Sequence, residues 1–94
     1  MTEQQYNDLK LEIKNLILDT LDIKDIKPEE IDDEAPLFGG GNTLVLDSVD
    51  ALEIIMAIQR KFNVRVADQN QARYTVRSVN SIAEFISQEK AAVS

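Results

Sequence analysis

Apolar residues Tyr6, Leu9, Ile13, Leu16 and Ile17 recur at spacings of three and four, which lays one buried stripe along an amphipathic helix over residues 2–21. Thr2 suits the N-cap of that helix, and Gln5 three residues later completes a capping box. The pattern then breaks. Residues 22–46 carry Pro28, Pro36 and the run Gly39-Gly40-Gly41, none of which fits inside a long periodic element. Loops of this length need anchors of their own, so Ile23, Ile26, Ile31, Leu37 and Phe38 are expected to pin the segment down. Proline at a first helical position predicts one short turn of helix over residues 28–31. Periodicity returns over residues 48–62. Steps of ~100° gather Ala51, Ile54, Ile55, Ile58 and Phe62 on a core stripe and leave Val49 and Met56 outside it, beside Glu53 and Arg60. Residues 63–66 alternate over too short a span for a paired strand and read as an extended connector. A short third helix is expected over residues 68–73, followed by a turn at 75–78. Ser78 then caps a fourth helix, whose Val79, Ile82, Ala83 and Ile86 keep the three-and-four spacing. The expected fold is an all-α, antiparallel four-helix bundle with three long helices, one short one and a long loop between the first and second.

Composition narrows what such a bundle can do. Its 94 residues form a single domain, 1–94, which buries only roughly two-thirds of its unfolded surface. The chain has no cysteine and no histidine, which removes disulfides, thiolate metal sites and the commonest physiological general base. Neither a catalytic residue nor a metal ligand is expected. No apolar run approaches ~18 residues, and Met1-Thr2-Glu3-Gln4-Gln5 lacks the features of a targeting signal. A cytoplasmic monomer without membrane insertion is therefore expected. The net charge of -7 disfavours nucleic acid and favours protein partners with basic surfaces. Residues 1–58 hold 14 acidic and 4 basic side chains, whereas residues 59–94 hold 3 acidic and 6 basic. Docking is expected to be polarised accordingly.

The candidate chemistry lies in Leu46-Asp47-Ser48-Val49-Asp50-Ala51-Leu52-Glu53-Ile54, where a hydroxyl stands at a loop-to-helix boundary among carboxylates. As a bare dipeptide, Asp-Ser before a helix is explained by capping alone. The joint pattern goes further. Asp47-Ser48-Val49-Asp50, Leu52-Glu53-Ile54, Met56-Ala57-Ile58 and Phe62, with the closing Val79-Asn80-Ser81-Ile82-Ala83-Glu84-Phe85-Ile86, resemble the acyl carrier protein family over nearly the whole chain. The resemblance implies that Ser48 carries a covalent 4′-phosphopantetheine donated by coenzyme A, whose thiol holds acyl intermediates. It also implies docking through Asp47, Val49, Asp50, Glu53 and Met56, with Ile54, Ile55, Ile58, Phe62 and Ile82 lining a space for the acyl chain. The implied partners are a phosphopantetheinyl transferase, a ketosynthase and acyl-loading or modifying enzymes. Asp47 and Asp50 would repel the attached phosphate, which casts them as recognition handles. The competing class is an acidic helical adaptor that is never modified.

Departures from the family pattern concern partner choice. Gln59-Arg60-Lys61 occupy the end of the second helix, where carriers of primary fatty acid synthesis usually have acidic residues. Val45 stands where those carriers usually have glycine, and Phe38-Gly39-Gly40-Gly41-Asn42-Thr43 enlarges the preceding loop. The pattern Leu37-Phe38-Gly39-Gly40-Gly41 with Leu46-Asp47-Ser48-Val49-Asp50 is more similar to carriers of specialised bacterial pathways, such as aryl-polyene or polyketide-like synthesis. Peptidyl carriers place paired glycines directly before the serine, and the glycines here lie further upstream. The glycine run lacks the lysine and hydroxyl of a phosphate-binding loop, and Asp32-Asp33-Glu34 lacks the spacing of a calcium loop.

Overall fold

The first helix, α1 (Glu3–Thr20), begins at the expected capping box: the Thr2 hydroxyl accepts from the Gln5 N–H while the Gln5 side chain accepts from the Thr2 N–H. This satisfies two donors that a helix start leaves unpaired. The computed structural model describes residues 2–37, 47–66 and 69–93, without the side chains of Ser48, Gln69, Arg73 and residues 90–93. Phe38, Val45, the glycine run and Asp68 therefore lie outside the described residues. Three further helices follow: α2 (Ser48–Phe62), α3 (Gln69–Thr75) and α4 (Val79–Val93), with a 3-10 turn at Pro28–Glu30. Among the described residues there is no strand, so the chain is an all-α bundle of three long helices and one short one.

α1 packs against both α2 and α4, and α3 packs against α4. The expected stripes meet at the centre. Leu9, Ile13 and Ile17 of α1, Ile54, Ile58 and Phe62 of α2, and Val79, Ile82, Ala83 and Ile86 of α4 form one buried cluster. Tyr6, Leu16, Ala51 and Ile55 lie at its margin, partly buried. Leu18 falls outside the stripe read from periodicity but is buried, because α1 ends in a Schellman motif. Ile23 N–H donates to Leu18 C=O at 2.9 Å and Asp22 N–H to Asp19 C=O at 3.2 Å. Asp22 takes the left-handed conformation, with φ 55, that this motif requires and that Asp tolerates better than most residues.

The third helix departs from expectation, since it runs on through Tyr74 and Thr75 where a turn was expected. The Thr75 hydroxyl donates to Gln71 C=O at 2.7 Å, and Val76 N–H to Ala72 C=O at 3.0 Å. Both Thr75 and Val76 are buried, so tertiary packing extends the helix over weak local propensity. Ser78 caps α4 as expected, accepting from Ser81 N–H. Asn63 closes α2 in the left-handed conformation, with φ 55, and the Gln59 side chain accepts from Val66 N–H at 3.0 Å. That bond holds the extended connector against the end of α2.

The long segment before α2 is held by more than its apolar anchors. Ile31 and Leu37 are buried, with Ile23 and Ile26 partly so. Leu37 N–H donates to Arg77 C=O, and Asn80 N–H at the start of α4 donates to Asp33 C=O. The Asp33 carboxylate meets Lys10 at 3.2 Å and also pairs with Lys14. Burial by itself pushes the Asp33 carboxyl up, but bonds to Lys14 and Lys10 and their charges outweigh it, so its pKa lies below the ordinary value. A lowered folded-state pKa contributes stability that is present above the usual Asp value of about 3.9 and is lost as pH falls through the folded value. Asp33→Asn is therefore expected to lower stability at pH 7, and the gap from the wild type should narrow as denaturation is repeated down to about pH 3. A gap independent of pH would show that the ion pairs contribute nothing.

Candidate functional site at the start of the second helix

Asp47, and not Ser48, caps α2. The Asp47 carboxylate accepts from Asp50 N–H at 3.0 Å, and the Asp50 carboxylate accepts from Asp47 N–H at 3.1 Å. Ala51 N–H donates to Asp47 C=O at 3.0 Å, closing the first turn. This reciprocal box is made by two aspartates in place of the usual Ser/Thr and Glu/Gln pair. It corrects the view of Asp47 and Asp50 as recognition handles alone: both hold the helix start. It also overturns the capping account of Ser48, which is the first residue within the helix.

The box fixes where Ser48 stands relative to the first free amides. Among the described residues Val49 N–H has no acceptor, as expected in a first helical turn. An anion attached at Ser48 would meet the positive end of the helix there, worth about 0.3–1 kcal/mol. Asp47 and Asp50 oppose it by charge, but one carboxylate oxygen of each is held on the other's backbone N–H. The surroundings thus fit a phosphodiester on residue 48. Asp47→Ala removes the cap and is expected to cost about 1 kcal/mol, or roughly 4–8 °C in melting temperature. An unchanged melting curve would mean that the box does not support α2.

Running away from this end is an exposed apolar ridge. Val49, Leu52 and Met56 are 63%, 61% and 58% exposed, and at ~100° per residue they lie within ~60° of one another. The ridge stands opposite Ile54 and Ile58, both wholly buried. Asp47 and Glu53 are exposed beside it, and Asp50 is half-buried. The structure thus brings Asp47, Val49, Asp50, Glu53 and Met56 to one end and the outward side of α2. Leu52 is the member that the sequence reading passed over, although its place between Val49 and Met56 on the helical wheel carried the signal. On the inner side, Ile54, Ile58, Phe62 and Ile82 belong to the buried cluster and Ile55 lies half-buried against it. A separate open cleft of about 330 Å³ lies between α3 and α4, lined by residues that include Tyr74, Thr75 and Phe85.

A family profile described as "Phosphopantetheine attachment site" matches residues 12–86, a span that includes all of α2. The chain belongs to this family of carrier proteins. It is also similar to the acyl carrier protein of Wolinella succinogenes, at 27% identity over 79 residues that cover 84% of this chain and 93% of the relative. The group attached in this family is 4′-phosphopantetheine, and members act as carriers for biosynthetic enzymes. Among the described residues, no helix of this carrier is long and apolar enough to cross a membrane.

Proposed function

We propose that the chain carries acyl groups on a 4′-phosphopantetheine arm attached to Ser48 and is itself a substrate handled by enzymes. The observation that carries the reading is the capping box of Asp47 and Asp50, which accounts for the helix start without Ser48. A serine at the first helical position, beside an outward apolar and acidic face, then has a chemical use. In the modification, the Ser48 hydroxyl oxygen attacks the phosphorus of coenzyme A that bears the pantetheine. The new P–O bond replaces the bond to the departing nucleotide phosphate, and the serine proton passes to a base of the transferase. Once bound, the arm supplies a thiol that holds acyl groups as thioesters.

In this reading Asp47, Val49, Asp50, Glu53 and Met56, joined by Leu52, meet a phosphopantetheinyl transferase, a ketosynthase and acyl-loading enzymes as a monomer. Apolar anchors ringed by charge give affinity and register in a transient contact. Ile54, Ile55, Ile58, Phe62 and Ile82 line the space into which an acyl chain would insert, a reading supported by their sharing or bordering one buried apolar cluster. The pattern Leu37-Phe38-Gly39-Gly40-Gly41 with Leu46-Asp47-Ser48-Val49-Asp50 supports a specialised bacterial pathway, aryl-polyene or polyketide-like, over primary fatty acid synthesis. Incubation with coenzyme A and a broad-specificity phosphopantetheinyl transferase, followed by intact-mass measurement, tests the reading. The expected result is a gain of one phosphopantetheinyl group. A mass that stays at the unmodified value would support the unmodified adaptor instead.

A further inference from the structure

The outward side of α2 changes sign along its length. Glu53 lies toward its start and Arg60 in its last turn, while Asp50 and Lys61 stand on the flank of the helix. Arg60 falls on the same helical bearing as Val49, Glu53 and Met56, whereas Lys61 shares the bearing of Asp50, at ~100° per residue. At ~1.5 Å rise per residue, Glu53 and Arg60 are separated by roughly 10 Å along the axis, and Asp50 and Lys61 by roughly 16 Å. Glu53, Arg60 and Lys61 are exposed, and none takes part in an ion pair with a described residue. Gln59, by contrast, is committed inward to Val66 N–H. Two basic residues in a last turn complement the helix dipole. That role does not require Arg60 to continue the apolar ridge in line with Met56.

We infer that this face docks on an enzyme groove of two signs, basic where it receives Glu53 and the start of α2 and acidic where it receives Arg60, with an apolar floor between for Val49, Leu52 and Met56. The inference rests on the carrier reading above and concerns which partner surface the carrier fits. Like charges placed opposite each other in an interface oppose docking, and complementary ones fix its orientation. A groove basic along its whole length would match the start of α2 and repel its end. A second copy of the chain could satisfy both ends by antiparallel pairing. The net charge of -7 on each copy opposes that, and one helix face buries far less than the ~1,200 Å² or more of a stable interface.

The test uses the acyl-loaded holo form and a fatty-acid-type ketosynthase whose carrier groove is basic throughout. A version of the enzyme with glutamate at the position facing the end of α2 serves for comparison. Wild-type carrier is expected to show a KM about twofold to fivefold lower with the reversed groove, the size of one exposed ion pair. Arg60→Glu should invert that preference, whereas Lys61→Glu should not, and because the same variant meets both grooves, any loss of helix stability cancels. Glu53→Lys should raise KM with both. Equal wild-type KM in the two grooves, with Glu53→Lys still harmful, overturns the inference alone. If Glu53→Lys is also silent, the docking role of α2 falls with it. A wild-type dimer in sedimentation that dissociates on reversing Arg60 would overturn the inference by placing a second copy on the face.

Discussion

Ile58→Ala is expected to lower the unfolding free energy by about 2–5 kcal/mol, a large part of the ~5–15 kcal/mol available to a small domain. Ile58 is wholly buried on the inner side of α2, where that helix packs on α1. Removing its branched side chain forfeits apolar burial and leaves a cavity between helices that are each held by their own caps and cannot close freely. Ile55, three residues earlier and only half-buried, provides the internal comparison, and Ile55→Ala should cost markedly less. Denaturant melts of both variants decide the matter through their midpoints at constant slope. Equal losses would mean that the stripe is not oriented as described.

Ser48→Ala should abolish attachment of phosphopantetheine while leaving the melting temperature unchanged or slightly raised. The fold is expected to survive because the helix start depends on Asp47 and Asp50, and alanine has a higher helix propensity than serine by about 0.5 kcal/mol. The two buried hydroxyls among the described residues are poor substitutes. Ser78 is buried and bonded to Ser81, and Thr75 is buried and bonded to Gln71 C=O. Intact mass of wild type and variant, treated alike with coenzyme A and transferase, reads the outcome directly. Equal modification of both would move the attachment site away from Ser48. A Ser48→Ala protein that fails to fold would contradict the aspartate box as the cap.

The long helices and their inward faces were legible in the order of residues, because amphipathic periodicity is a local property that neighbouring turns of one helix already express. Tyr6 through Ile17, Ile54 through Phe62 and Val79 through Ile86 could thus be placed on core stripes, the Thr2 cap could be read with Gln5 three residues on, and the Ser78 cap from its place before an apolar run. The motif around Ser48 was equally legible, since its parts lie within a few turns of one helix. Which of two adjacent side chains caps α2 was not legible there, because Asp47 and Ser48 are both capable caps and the choice depends on how the loop enters the helix. Nor was the full extent of α3, which the burial of Thr75 and Val76 sets. Asp33 is joined to Lys10, Lys14 and Asn80 across long stretches of sequence, and no periodicity encodes such pairing. Leu52 lies between these cases: its bearing on α2 was available from the sequence, but its exposure depended on which sides of the helix α1 and the rest of the core cover.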